Sequence, residues 1–339
     1  MSKNTYHSID IAKIVAALFV VSIHSEPFSN LPKDIIVDIF ARIAVPFFFI
    51  TSAFFFFKRK PDMDALKHYE KRLAKLYLFW FIIGFPLIIL HKFIEPNESF
   101  SINLFNLLKE FIFGSTFGGS WFIMVLIEGV PIVYFLSRKI STASIIAIGV
   151  LLYAVAVSFS YYHNFLPADI QHIADLYPKV LKSGIANSFM SAFLFIAAGK
   201  VMAENEDRIR NFSRAKVNIM LTVSLIFSFI EVLTVKHMDT PSSTDIFFCL
   251  PALSLTIFMF ILQNETYKDL NYMRFRNTST IIYFSHFIFV FFFVIINKHI
   301  TPVNPILKYF MVVTLCLMLS YLFIKLSEKE KFKWIKFGF

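Results

Sequence analysis

The sequence predicts an all-α, polytopic membrane helix bundle of about ten transmembrane helices, with both termini cytoplasmic. Three observations predict it. The 339 residues are 57% hydrophobic and only 17% charged, against about 45–50% apolar and about 25% charged in a soluble domain. Apolar runs of helix length recur along the whole chain, and basic residues collect in alternate connections between them. This balance excludes a soluble enzyme, a disordered chain and a collagen-like fibre. Forty-five Phe against three Trp and nine Gly suit helices that face lipid.

The elements follow in order. The first run, Ile11 to Ile23, ends in His24-Ser25-Glu26-Pro27 rather than a small-x-small cleavage site, so it is expected to stay as a helix. Further runs lie at about 35–57, 76–91, 118–136, 143–161, 185–203, 217–235, 245–263, 279–297 and 303–324, each near the roughly 20 residues a bilayer demands. The connection after the second run carries Lys58, Arg59, Lys60, Lys67, Lys71, Arg72 and Lys75. Those after the fourth, sixth and eighth carry Arg138 and Lys139, then Lys200, Arg208, Arg210, Arg214 and Lys216, then Lys268, Arg274 and Arg276. The tail adds five Lys, and the intervening connections hold one or two each. Positive charge inside then places both termini in the cytoplasm, as an even span count requires. The same topology accounts for the formal net charge of +10 without nucleic acid. Residues 1–339 read as a single transmembrane domain, with no internal repeat and no low-complexity linker.

Between spans three and four, Ile102, Leu104, Phe105, Leu107, Leu108, Phe111 and Ile112 predict an amphipathic helix on the outer interface. Cys249 and Cys316 each sit within an apolar run, which predicts inert buried thiols and no disulfide framework. The nine His show no ligand spacing, so no metal is expected. No Gly-rich phosphate loop is present, and the Gly118-Gly119 pair reads as the opening of span four.

Ionisable residues within the spans carry the functional information. Lys13, His24, Arg42, Glu128, Glu231 and His286 would each cost about 2.5–3.5 kcal/mol if charged and unpaired at mid-bilayer. They must pair, stay neutral or line a wet cavity. Lys13 and His24 are three turns apart on one helix face, separated by about 16 Å along the axis, with Asp10, Ala17 and Val20 on the same stripe. They describe either a lined passage or a snorkelling Lys beside Asp10 with an interfacial His. Arg42 has Asp38 one turn before it, and Glu128 or Glu231 is the alternative partner. Polar stripes at Ser183, Asn187 and Ser191, at Ser224, Ser228 and Glu231, at Trp121 and Glu128, and at His286 and Asn297 are either helix–helix glue or the walls of a polar cavity. Lys71, Arg72 and Lys75 are either ordinary inside-loop charges or a site for a polyphosphate.

Five of these features occur in a known order. Ile9-Asp10-Ile11-Ala12-Lys13 with His24 resembles the first helix of the acyltransferase-3 family of integral-membrane acyltransferases, in which Arg commonly stands where Lys13 does. Arg42 to Phe49 followed by Thr51-Ser52, then Trp121-Phe122, Glu231-Val232 and Ile282 to His286, are similar to its later signatures. The nearest subgroup comprises surface-polysaccharide O-acyltransferases and the membrane half of vancomycin-resistance serine racemases. Gly119 and Ser120 stand where that subgroup often has a His before the Trp, and Ala186-Asn187-Ser188 replaces an Arg-Asn-Gly.

The resemblance implies acyl transfer from cytoplasmic acetyl-CoA, or another acyl-CoA, to a hydroxyl of a cell-surface glycan or lipid-linked saccharide at the plasma membrane. It implies His24 as base, Arg42 as oxyanion partner, and Lys13, Lys71, Arg72 and Lys75 as holders of the CoA phosphates. Glu128, Glu231 or both would balance Arg42 or orient His24, and His286 would be structural. A transporter or flippase for a small polar substrate, and a membrane scaffold, are the competing classes.

Overall fold

A computed structural model describes residues 6–90, 92, 99–114, 116–181, 183–238, 243–264, 272–299 and 302–339. Lys268, in the basic connection before the ninth span, lies outside these. Among the described residues the regular structure is helical, with no strand. The helices are α1 (His7–Ser25), α2 (Asn30–Phe57), α3 (Met63–Ile89), α4 (Phe100–Phe113), α5 (Ser120–Leu136), α6 (Thr142–Ser160), α7 (Ala168–Leu181), α8 (Phe189–Glu204), α9 (Glu206–Arg210), α10 (Arg214–Met238), α11 (Leu250–Gln263), α12 (Tyr272–His299) and α13 (Pro305–Ser327). A 3₁₀ tail, Glu330–Gly338, folds back on α3, where Trp80 Nε1 donates to the Gly338 carbonyl at 3.0 Å.

Among the described residues, eight helices are long and apolar enough to cross a membrane: α1, α2, α3, α6, α8 with the turn before it, α10, α12 and α13. The expected fourth and eighth spans, α5 and α11, are apolar but shorter. The cause is visible in what precedes them. Residues 116–119 and 243–249 run as irregular backbone into the bundle, where Phe117, Ile246 and Phe247 are buried. Such backbone is tolerated at membrane depth only if its polar groups are bonded and it lines protein or a cavity. Both segments meet that condition. Ser120 donates its hydroxyl to the Gly114 carbonyl and accepts from Phe117 N. Tyr153 donates to the Phe247 carbonyl at 2.8 Å, and the Glu231 carboxylate accepts from Phe248 N and Cys249 N at 2.7 Å each.

The basic segment 58–75 is a loop for only its first few residues. Asp62 accepts from Ala65 N and starts α3 at Met63, a strong N-cap. Lys67, Lys71, Arg72 and Lys75 therefore ride on helical turns. α4 is amphipathic as expected, with its apolar face outward: Phe100, Phe105, Leu108 and Ile112 are exposed while Asn103 and Asn106 are buried. That reversed polarity suits a helix lying against lipid. α7 repeats it with Ile173, Leu176 and Val180.

At the centre α1 packs on α12, and α2 on α8. A Cβ at Gly199 would fall 2.5 Å from the Ile50 carbonyl oxygen, so α2 and α8 approach this closely only because Gly199 has none. Lys13 marks one end of the bundle and His24 the other. The thiols of Cys249 and Cys316 are free, the first half-buried and the second buried.

Candidate functional site

α2 changes its winding where the site begins. It is π-helical from Lys33 to Phe40, 3₁₀ from Ala41 to Ile43 and α-helical from Ala44. Arg42 sits in the tight 3₁₀ turn. Departures of this kind inside a helix mark functional positions more often than ordinary ones. Here the unwinding turns the guanidinium toward residues 243–249. Arg42 Nη1 lies 2.5 Å from Asp245 Oδ1, and Nη2 donates to Thr244 Oγ1 at 2.9 Å and lies 3.6 Å from Asp38 Oδ1. Asp38 is 1% exposed and also receives Thr244 Oγ1 and Lys236, which bridges it to Asp34. The network leaves Arg42 Nε buried with no partner among the described residues.

A cavity of about 410 Å³ opens beside it. Its walls carry His24, Arg42, Asn187, Asp245, Tyr283 and His286, with Trp121, Ser183 and Ser191. All three residues of the Ser183, Asn187 and Ser191 stripe thus face one space. Asn187 Nδ2 donates to Asp245 Oδ2 at 3.4 Å. His24 is exposed, and the cavity is what it is exposed to. Its ring stacks on His286, centroids 5.0 Å apart and planes 29° apart. His286 is 1% exposed, and its Nδ1 is 3.3 Å from the Ile282 carbonyl. A carbonyl only accepts, so that contact assigns the proton to Nδ1 and leaves Nε2 with its lone pair. Nε2 is buried with no partner among the described residues.

Gly118 and Gly119 do more than open α5. A Cβ on Gly118 would meet Phe287 Cβ at 2.7 Å, and Gly119 has φ +82° with Tyr283 at 2.9 Å. They let the chain pass against α12 while lining the cavity.

The two expected acidic partners are elsewhere. Glu231 is committed to Phe248 N, Cys249 N and the Tyr162 hydroxyl. Glu128 is half-buried and absent from the cavity wall; its neighbour is Tyr177 of α7. Burial pushes the Tyr177 phenol above its ordinary value, and the Glu128 carboxylate adds to the rise. Asp245 and Asp38 take the place beside Arg42. The acidic-first spacing exposed Asp38. Asp245 sits in irregular backbone that no periodicity describes.

The other end holds a second cluster. Asp10, 2% exposed, receives Arg276 Nε and Nη2 at 3.1 and 3.0 Å and Lys13 at 3.5 Å. Arg276 thus shares Asp10 with Lys13, and the Arg72 charge reaches Lys13 more weakly. Lys71, Arg72 and Lys75 are all exposed, and Lys75 lies over the Phe337 ring, 4.4 Å from its centroid. Nearby, Lys58 and Arg210 both pair with Glu206; burial pushes the Lys58 ammonium below its ordinary value, and Arg210 adds to that.

The fold and these two clusters define a multi-pass membrane protein built around a polar cavity, with a cationic cluster at the opposite end. The acyltransferase-3 profile, an acyltransferase domain, matches residues 6–325, and the chain belongs to that family. An amino-acid racemase of Enterococcus faecalis is 24% identical over 96% of this chain and 47% of its own length. A second amino-acid racemase of that organism is 26% identical over 70% of this chain and 33% of its length. A serine/alanine racemase of Enterococcus gallinarum is 24% identical over 75% of this chain and 37% of its length. The chain thus spans about half, or less, of these curated relatives. No solved structure matches it.

Proposed function

We propose that residues 1–339 form one domain that transfers an acyl group, acetyl in the simplest case, from cytoplasmic acyl-CoA to a hydroxyl of a cell-surface or lipid-linked saccharide. One observation carries the reading: His24, His286 and Arg42 line a single cavity in a chain of an acyltransferase family. A neutral imidazole takes up a hydroxyl proton near neutral pH, and His24 is the exposed imidazole. Arg42, held by Asp38 and Asp245, presents fixed positive charge where an acyl oxyanion develops. The residues at the Lys13 end suit a polyphosphate: Lys13, Arg72 and Arg276 cluster there with one carboxylate among three cations, and Lys71 and Lys75 follow on α3. Bound acyl-CoA would supply the activated thioester.

The test is acetyl-CoA binding to the purified full chain in detergent. Arg72→Ala should weaken saturable binding by about tenfold, the scale of one charge-assisted hydrogen bond. His24→Ala should retain binding and lose transfer. No binding by folded protein removes the donor assignment, and full transfer by His24→Ala removes the base.

A second reading, transport of a small zwitterion, is favoured by the cavity's pairing of a guanidinium with a carboxylate and by the racemase names of the relatives. Uptake of serine or alanine into liposomes without any acyl donor would select it.

A further inference from the structure

A second cavity, of about 270 Å³, adjoins the first. The two share His24, Phe117, Gly118 and His286, so the stacked imidazoles stand in the wall between them. Their linings differ in kind. The larger carries Arg42, Asp245, Asn187 and serines. The smaller is an open groove between α3 and α12, walled by Leu87, Ile88, Phe287, Val290 and Val294, with Lys92 as its one Lys or Arg among the described residues. Lys92 donates to Glu110 Oε1 at 2.8 Å, which engages one of its three donors. Phe85 and Phe292, on the same two helices, are exposed as lipid-facing residues are.

We infer that this groove holds the hydrocarbon chain of a lipid-linked acceptor, its phosphate beside Lys92 and its polar head in the larger cavity at His24. An apolar trough ending in a single cation matches a chain ending in a single anionic group. The shared wall puts the end of that chain next to His24 and the unpartnered Nε2 of His286. The donor's phosphates have their own cations at the Lys13 end, so the groove falls to the acceptor. Calling the lipid an acceptor rests on the acyl-transfer reading; that the groove takes a phosphate-ended chain does not.

The experiment uses the full chain in phosphatidylcholine nanodiscs with no acyl donor. The probe is a polyprenyl monophosphate bearing a diazirine, and a diazirine phosphatidylcholine is run beside it. The polyprenyl probe should label residues 287–294 saturably and be displaced by unlabelled polyprenyl phosphate. Val290→Trp and Leu87→Trp, on opposite walls, should each cut labelling about tenfold, the scale of excluding two methylenes from an apolar wall. Ile226→Trp, on the exposed face of α10, should not, and monodisperse elution confirms folding of each variant. Equal, non-displaceable labelling by the phosphatidylcholine probe, or undiminished labelling in both groove variants, overturns the proposal. Labelling needs no donor, so failure to bind acetyl-CoA would leave the groove standing. Acetyl transfer to a polyprenyl-linked saccharide that ignores both groove variants would overturn the acceptor's place there and leave transfer intact.

Discussion

Two carboxylates touch Arg42, and their surroundings assign them different work. Asp38 is 1% exposed and receives Lys236 and Thr244 besides facing Arg42. Its conversion to Asn takes a buried, shared carboxylate from Arg42 and Lys236, which each keep one acid, Asp245 and Asp34, at a cost of about 1.5–3 kcal/mol, the scale of a buried hydrogen bond to a charged group. Asp245 has a side chain 33% exposed to the cavity, where an ion pair contributes about 1 kcal/mol or less. Asp38→Asn should therefore lower thermal stability in detergent sharply. Asp245→Asn should leave it nearly unchanged and reduce transfer at least about tenfold, because the guanidinium loses its guide to the acyl oxygen. Equal destabilisation by both would remove Asp245 from the positioning role. The same contrast explains what was legible at this scale. Lys13, His24 and Arg42 stand out because charge is costly in an apolar run and helical spacing relates them. Glu231 stands out for the same reason, yet its cost is met by the backbone of 248 and 249. Sequence spacing registers that an acid is buried; it does not register which donor found it.

The irregular elements make the site. The bulk of each span was legible, since twenty apolar residues form a helix wherever lipid leaves the backbone no other partner. Three departures were not legible: the π-to-3₁₀ change around Arg42, and the loops 116–119 and 243–249 that shorten α5 and α11. The loop 243–249 satisfies its backbone through distant side chains, Tyr153 on Phe247 and Glu231 on 248 and 249, and local sequence does not contain those partners. Glycines in and beside these elements offer a measurement. Gly118 has Phe287 at 2.7 Å from an ideal Cβ, whereas Gly184, also in the cavity wall, has nothing within 4 Å. Gly118→Ala should cost about 1–3 kcal/mol by overpacking and, by displacing Phe287, disturb His286 next to it. Gly184→Ala should unfold at the wild-type temperature. If the two melt alike, the close approach of 118–119 to α12 is not what holds the wall.

At the scale of the whole molecule, the two clusters occupy opposite ends of α1, about 16 Å apart along its axis. Acyl transfer across the membrane then requires the Lys13 end to be cytoplasmic. The charge distribution argues for that orientation, and the structure sharpens it. At the His24 end, Lys92 is paired with Glu110, and Lys236 with Asp34 and Asp38. A carboxylate beside each cation weakens its pull on topology. Arg138 and Lys139 at the turn between α5 and α6 lie at the opposite end, and by the positive-inside rule that end is expected to face the cytoplasm. Ser141→Cys reports on that turn, and Asn164→Cys on the turn between α6 and α7; both positions are exposed. The unsubstituted chain, with Cys316 buried and Cys249 half-buried, supplies the background. In intact cells a membrane-impermeant maleimide should label Asn164→Cys and spare Ser141→Cys until the membrane is permeabilised. The reverse pattern would turn the polar cavity toward the cytoplasm. It would also put the Lys13 cluster out of reach of cytoplasmic acyl-CoA and end the transmembrane transfer reading, whatever the chemistry at His24.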